Sequence, residues 1–175
     1  MATVEVIREG YLSERRASST VTLIRSDDGR RIIVDTGDQR ERHTILDALG
    51  RVGLTPGDVD LVVNTHRHSD HMGNNGLFNH AVVVEPKDGL RLGEDVQIIY
   101  TPGHTLDSYS VLARTDCGTV AIVGDLISLQ SDLRSGRVPF SADFALQQEN
   151  RARVLGTAQY IVPGHNGMFK VRNEG

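Results

Sequence analysis

Three of the chain's seven histidines and one aspartate fall within six consecutive positions, 66–71. These residues are His66, His68, Asp70 and His71. Imidazole nitrogen and carboxylate oxygen are ligand atoms that zinc and other borderline first-row metals prefer. The apolar run 61–64, directly before them, predicts a buried strand. In extended chain leaving that strand, His66 and His68 point to the same side, and a turn after Ser69 would let Asp70 and His71 serve a second metal beside the first.

Other side chains of metal-ligand type stand directly after apolar runs that end in a glycine or proline turn. The run 96–100 leads to His104, 120–123 to Asp125, 160–162 to His165, and 32–34 to Asp35. Ligands at successive strand ends can be gathered at one edge of a sheet although they are far apart in sequence. A single Pro-Gly-His turn is usually only a turn, but the joint pattern indicates a metal centre. His43 and His80 lack this setting and are predicted to be surface residues.

Strands and helices that would carry these side chains follow from the apolar periodicity. Strands are predicted within 4–12 and at 19–25, 31–34, 59–64, 81–84, 96–100, 120–123 and 160–162, and helices at 44–52 and 144–155. The Asp28-Gly29 pair predicts a hairpin turn. We expect 81–84 to be a buried strand and 73–76 to be flexible chain. Arg151 and Arg153 are expected on a solvated helix face, with the lining of a substrate groove as the alternative.

Composition describes an ordinary folded chain without a strong overall charge. With 175 residues, 38% of them hydrophobic and 24% charged, we expect a single domain spanning 1–175. The net charge of -4 provides no general basic field for nucleic acid or anionic membrane. No apolar run reaches membrane-spanning length, and the first twenty residues lack the apolar core of a signal peptide, so we expect a cytoplasmic protein. The lone Cys117 excludes an intramolecular disulfide and is predicted to be a small buried hydrophobe.

The pattern His66-x-His68-x-Asp70-His71, with His104, Asp125, His165 and the upstream Asp35-Thr36-Gly37, resembles the motif set of the metallo-β-lactamase superfamily. The resemblance covers residues 21–169. It implies an α+β fold, a four-layer αβ/βα sandwich in which two mixed β-sheets lie face to face with helices outside and a metal site at one edge. It also implies a non-covalent homodimer. The interval between Asp125 and His165 has no room for the cap domain of the β-CASP nucleases.

This resemblance implies a role for each candidate residue. His66, His68 and His104 would bind the first of two divalent metal ions, while Asp70, His71 and His165 would bind the second. Asp125 would bridge the two ions, and Asp35 would support a ligand loop from behind. Zinc is the favoured metal, with iron or manganese as alternatives, because ligand identity does not separate them. A metal-bound hydroxide would be the nucleophile, and Asp70 would orient it and accept its proton.

Three activities remain open at this point. The first is hydrolysis of an ester, thioester, lactone or amide-type bond in a small molecule, which we favour because any hydrolase on this scaffold needs the matching residues. The second is an endoribonuclease, because segments 68–78, 101–104 and 162–171 resemble a member of the superfamily described as acting on RNA. The candidate RNA-binding cations are Arg67, Arg134, Arg137, Lys170 and Arg172. The third is an iron-dependent oxygenase that uses the same ligand set.

Overall fold

Two five-stranded β-sheets and four α-helices make up most of the regular structure in the computed structural model, which describes residues 1–136 and 140–171. The strands are β1 (Thr3–Arg8), β2 (Tyr11–Leu12), β3 (Ala17–Ser18), β4 (Val21–Arg25), β5 (Arg31–Val34), β6 (Leu61–Val63), β7 (Val82–Val83), β8 (Val96–Tyr100), β9 (Tyr109–Thr115), β10 (Gly118–Gly124), β11 (Tyr160–Pro163) and β12 (Phe169–Lys170). The helices are α1 (Arg42–Arg51), α2 (Ser69–Met72), α3 (Gln130–Ser135) and α4 (Phe144–Leu155).

Both sheets are mixed. The first has the strand order β1-β4-β5-β6-β7, and the second has the order β12-β11-β10-β9-β8. Neighbours run parallel from β5 through β6 to β7 and between β10 and β11, while the remaining neighbours are antiparallel. Strands β2 and β3 form a separate hairpin.

Three apolar clusters show how the layers are stacked. Between the sheets, Ile24 and Ile32 of the first sheet share a buried cluster with Ile98 and Val111 of the second. On the outer face of the first sheet, Leu23 and Ile33 share a cluster with Ile45 and Leu49 of α1. On the outer face of the second sheet, Ala121 and Ile161 share a cluster with Val154 of α4. Because successive strand residues point to opposite faces, each sheet buries both sides. The predicted four-layer sandwich is therefore confirmed.

The parallel strand pairs determine where the loops that carry the candidate ligands emerge. Val34 of β5 pairs with Val63 of β6, so both strands finish at the same edge of the first sheet. Gly124 of β10 pairs with Pro163 of β11, so these two strands also finish together. The residues that follow these four strand ends include Asp35 and every candidate ligand except His104, which follows β8. This arrangement agrees with the sequence-based expectation of ligands at successive strand ends.

Two expectations about local order are wrong. The segment 81–84, expected to be a buried strand, contains only the two-residue β7, whose Val82 and Val83 are 63% and 49% exposed. This strand is the last in its sheet order, so one of its edges has no neighbouring strand among the described residues. The segment 73–76 is not loose chain, because the buried Asn74 donates hydrogen bonds to the backbone oxygens of Thr36 and Asp38 at 2.9 and 2.7 Å.

Two expectations about burial are also wrong. Cys117 is exposed, because it lies in the tight turn between the antiparallel strands β9 and β10 rather than within either strand. Arg151 is buried within α4, where its Nε donates to the backbone oxygen of Leu126. His43 and His80 are exposed, as predicted. Within the described residues, the helices are too short or too polar to cross a membrane.

Candidate metal centre

Three imidazoles converge where the loops after β6 and β8 meet. His66 Nε2 lies 3.0 Å from His68 Nδ1, and His68 Nδ1 lies 3.1 Å from His104 Nε2. His68 Nδ1 carries at most one proton, so it can donate a good hydrogen bond to only one of these two neighbouring nitrogens. Nitrogen ligands on one tetrahedral zinc ion lie about 3.3 Å apart, so the observed spacing is compatible with a shared metal. His66 and His104 are buried, whereas His68 is exposed.

A second group lies beside the first and is built from Asp70, His71 and His165. Asp70 and His71 lie in the short helix α2, and His165 follows β11. Asp70 Oδ2 lies 3.9 Å from His71 Nε2 and 3.7 Å from His165 Nε2. Both histidines are fully enclosed, and Asp70 is half-buried.

The Asp125 carboxylate lies between these two groups. Its Oδ1 is 3.3 Å from His71 Nε2 and 3.2 Å from His165 Nε2, both of the second group. Its Oδ2 is 3.6 Å from His104 Nε2 of the first group. Oδ2 also lies 3.3 Å from His165 Nε2. The carboxylate thus lies beside both groups, with both oxygens near the second group and Oδ2 near the first as well. The structure therefore brings all seven predicted ligand residues together.

Two buried atoms in this cluster test whether a metal fits. Among the described residues, His71 Nε2 and Asp125 Oδ1 have no hydrogen-bond partner, although they lie only 3.3 Å apart. Buried polar atoms are nearly always paired, and leaving them unpaired is costly. A divalent cation would accept electron pairs from both atoms. The donor set, with imidazole nitrogens and carboxylate oxygens, suits zinc and similar ions.

The titration behaviour of the metal-free cluster reflects both burial and mutual repulsion. Burial, followed by the neighbouring His71, lowers the pKa of His66 far below its ordinary value. Burial alone would lower the pKa of His71, but the carboxylates of Asp35 and Asp125 raise it well above the usual value. Burial alone would raise the pKa of Asp125, but His71 and His165 hold it well below its usual range. Without metal, an ion pair between His71 and Asp125 therefore offsets part of the burial cost.

Asp35 orients His71 from the side away from the cluster. Its Oδ2 lies 2.8 Å from His71 Nδ1 and accepts a hydrogen bond from Thr65 Oγ1 at 2.8 Å, while its Oδ1 accepts from the Thr65 backbone N–H at 2.7 Å. These contacts leave His71 Nε2 facing Asp125. Asp35 has φ +58°, a left-handed conformation that aspartate and asparagine adopt more readily than most residues. Its position agrees with the predicted role of supporting a ligand loop.

The segment Ser18-Ser19-Thr20 holds the second group together, and the sequence analysis missed it. The Ser18 backbone oxygen lies 3.0 Å from His165 Nδ1. The Ser19 N–H donates to the Asp70 backbone oxygen at 2.9 Å, and the Thr20 N–H donates to the Gly164 oxygen at 2.7 Å. Three consecutive residues thus contact both loops of that group. The only signal in the sequence is a polar run before a strand, which does not by itself indicate a site.

Two glycines allow the ligand loops to approach each other closely. A Cβ atom at Gly164 would overlap the Asp125 carboxylate, and one at Gly124 would overlap the Thr65 side chain. Gly124 also has φ +52°, a conformation that favours glycine. The compact cluster therefore depends on the absence of side chains at both positions.

A groove of about 320 Å³ lies beside His66. Val83, Val84 and Tyr109 contribute to its walls, together with Arg67 and Glu85. The volume is at the lower end of the range for small-molecule sites in proteins. The groove extends from the metal-ligand cluster to the exposed edge strand β7.

Among the described residues, Arg67 is the only predicted RNA-binding cation that lines this groove. Arg67 lies 3.3 Å from Glu85 and 3.6 Å from Asp107, so acidic groups flank its charge. Arg134 and Lys170 are exposed. The remaining two candidates, Arg137 and Arg172, lie outside the described residues.

Comparison with known proteins shows to which protein family this chain belongs. A model described as the metallo-beta-lactamase superfamily matches residues 15–87. The chain is 35% identical over 196 residues to metallo-beta-lactamase domain-containing protein 1 of Xenopus laevis, a match that covers 98% of this chain and 83% of that protein. Its identity to the human protein of the same name is 40% over 162 residues, covering 82% of this chain but only 60% of the relative. The chain therefore belongs to the metallo-β-lactamase superfamily, and it spans less than two thirds of the human relative's length.

Solved structures agree with this assignment at the level of the fold. A protein of Thermotoga maritima, described as a candidate metallo-beta-lactamase, has a TM-score of 0.77 at 22% identity, covering 97% of this chain and 99% of that one. AidC, described as a dizinc quorum-quenching lactonase, has a TM-score of 0.70 at 15% identity, covering 91% and 77%. Together with the ligand-type cluster and the sequence relatives, this fold identifies a metal-dependent hydrolase.

Replacing Asp35 with asparagine tests whether the support behind His71 matters for metal binding. Asp35→Asn keeps the size of the side chain and its tolerance of positive φ, but removes one of two acceptor oxygens. We expect the zinc affinity of the folded protein to fall about 10- to 100-fold, measured by competition with a chromogenic chelator. Asp60→Asn is the matched control, because exposed Asp60 accepts the Arg31 N–H at the other end of the same two strands. Equal zinc affinity in Asp35→Asn and the unmodified chain would contradict this role.

Proposed function

We propose that this chain is a dinuclear metal hydrolase, with zinc as the favoured metal, that cleaves an ester, thioester, lactone or amide-type bond in a small molecule. The observation that carries the proposal is the position of the Asp125 carboxylate, which lies within 3.6 Å of ring nitrogens from both ligand groups. A mononuclear site would not require a buried carboxylate that faces a second complete set of ligands. AidC, which shares the fold, is described as a dizinc enzyme, and this supports the same assignment.

Each residue of the cluster is assigned to one metal or to both in this proposal. His66, His68 and His104 would hold one metal, and Asp70, His71 and His165 would hold the other, with Asp125 shared. When bound, the two ions would supply Lewis acidity and would lower the pKa of water to near neutrality. The two ligand carboxylates only partly offset the charge of two divalent ions. The remaining positive charge favours an electron-rich group such as a carbonyl oxygen.

Asp70 is the residue to which we assign proton transfer. It is half-buried, whereas His71 and His165 are enclosed, so its carboxylate is partly accessible to solvent. From that position it can orient the attacking water and accept its proton. Its backbone oxygen is held by the Ser19 N–H, which limits the movement of the loop.

The groove beside His66 supports a small substrate rather than a nucleic acid. Its walls include the apolar side chains Val83 and Val84, which could contact a hydrocarbon portion of the substrate. Glu85 and Asp107 lie at the same groove and would repel a chain of phosphates. Endoribonuclease activity therefore stays the alternative. An iron-dependent oxygenase would use the same ligands, and the identity of the bound metal distinguishes it from a zinc hydrolase. A homodimer and a cytoplasmic location stay predictions.

Removing any single histidine ligand should abolish hydrolysis while the fold persists. We expect no detectable turnover for His66→Ala, His104→Ala or His165→Ala, because each substitution removes a nitrogen from one metal. Near-ultraviolet circular dichroism should stay close to that of the unmodified chain, because the ligands lie at loops beyond the strands. The measurement is hydrolysis of a simple lactone and a simple thioester.

The two exposed histidines provide the control for this series. His43→Ala and His80→Ala should retain full activity and metal content, because both side chains lie outside the cluster. Substantial turnover by metal-depleted His104→Ala would show that the assigned residues do not carry the reaction.

A salt series separates the small-substrate hydrolase from the ribonuclease. Binding of single-stranded RNA weakens with salt in proportion to the phosphates that the protein neutralises, by about 0.7 logarithmic units per contact for each tenfold rise in salt. We expect lactone hydrolysis to change less than about twofold between 50 and 200 mM salt, because the substrate contacts few charges beyond the metals. Cleavage of single-stranded RNA should be absent under the same conditions.

Substitution of the exposed cations completes this test. Arg134→Ala and Lys170→Ala should leave lactone hydrolysis unchanged. Metal-dependent cleavage of RNA that falls with salt and weakens in both variants would favour the ribonuclease instead.

A further inference from the structure

Helix α4 buries a row of polar side chains that face the metal-ligand loops. Asn150 and Arg151 follow Gln147 by three and four residues, so all three lie on one face of the helix. All three are at most 5% exposed. Long polar side chains are rarely enclosed to this degree unless they form hydrogen bonds. Their partners show what this face contacts.

Two of these side chains form hydrogen bonds to the loop that carries Asp125. The Gln147 amide donates from Nε2 to the backbone oxygens of Asp125 and Leu126, at 3.0 and 3.1 Å. Arg151 Nε donates to the same Leu126 oxygen at 2.6 Å. The backbone on both sides of the Asp125–Leu126 peptide bond is therefore fixed to α4.

The same helix also holds the loop that carries His104. Asn150 Nδ2 donates to the Pro102 backbone oxygen at 2.8 Å. Gly103 packs so closely on α4 that a Cβ atom there would overlap Gln147 Cα. Just before the helix, the Asp143 N–H donates to the Gly103 oxygen and the Ala142 N–H to the His104 oxygen, at 2.9 and 3.1 Å.

We propose that Gln147 is a positioning residue, which fixes the distance between Asp125 and His104. It contacts both loops, because its amide binds the Asp125 backbone while its own backbone packs against Gly103. His104 Nε2 and Asp125 Oδ2, 3.6 Å apart, are the atoms through which the shared carboxylate reaches the first ligand group. The inference rests on the proposed dinuclear site, since it assigns a role in assembling that site.

A positioning role and a purely structural role predict different results. Loss of a buried side chain that only stabilised α4 would lower the melting temperature equally with and without metal. Loss of a residue that sets the ligand spacing would weaken metal binding by the folded protein, so the gain in melting temperature on adding zinc would also shrink. Zinc affinity and this gain are therefore the quantities to compare, and neither requires a known substrate.

Two substitutions at Gln147 separate side-chain volume from hydrogen bonding. Gln147→Leu retains an apolar side chain of similar size but donates no hydrogen bonds. Gln147→Glu retains the shape, but burial against two backbone oxygens favours its protonated form, which offers one hydrogen to donate where the amide offers two. The control is Thr115→Val, because buried Thr115 donates to the Gly118 backbone oxygen at 2.7 Å in the turn at the far end of β9. Zinc affinity is measured by chelator competition on each intact chain.

We expect both Gln147 variants to bind zinc at least about tenfold more weakly than the unmodified chain. Thr115→Val should lower the melting temperature without changing zinc affinity. Should Gln147→Leu fail to fold, Asn150→Ala removes the hydrogen bond to the His104 loop, and we expect it to weaken zinc binding in the same way. Unchanged zinc affinity in the folded variants would overturn the inference. Failure of the unmodified chain to bind two metal ions would instead overturn the proposed function.

Discussion

Buried ligand atoms without hydrogen-bond partners are the constraint on which this structure depends. His71 Nε2 and Asp125 Oδ1 lie 3.3 Å apart in the enclosed part of the cluster, and neither has a hydrogen-bond partner among the described residues. Packing of apolar side chains around the site cannot offset this cost locally. His71 and Asp125 are held in place by hydrogen bonds to other atoms of the same two residues, the His71 Nδ1 and the Asp125 backbone oxygen. A site assembled before the metal arrives needs little rearrangement to bind it.

These contacts come from three separate parts of the fold. Asp35, at the end of β5, orients His71, while the segment Ser18-Ser19-Thr20 contacts the backbone or ring of both loops of the second group. Helix α4 holds the loops of Asp125 and His104. Each five-stranded sheet thus supplies ligands, and elements outside these two sheets fix their relative positions. The sandwich provides rigid strand ends, and the hydrogen bonds behind the ligands determine how those ends combine.

The ligand residues could be predicted from sequence because metal binding requires particular residue types at strand ends. His104, Asp125 and His165 each follow an apolar run and a turn, a local pattern that is visible without a structure. The supporting contacts could not be predicted in this way, because Ser18 acts through a backbone oxygen that every residue possesses. Arg151 was expected to be solvated, since helical periodicity shows that it is polar but not which neighbour covers it. The exposure of β7 depends on the order of strands in the sheet, which periodicity does not reveal.

The metal content of the chain tests the dinuclear assignment most directly. Metal-free protein would be titrated with zinc, freed of excess ion and examined by elemental analysis, alongside protein purified without added metal. Two zinc ions per chain are expected in the titrated sample, because two ligand groups share the Asp125 carboxylate. Zinc rather than iron is expected in the protein as purified. Saturation at a single ion per chain, or iron as the metal that accompanies the purified protein, would contradict the assignment.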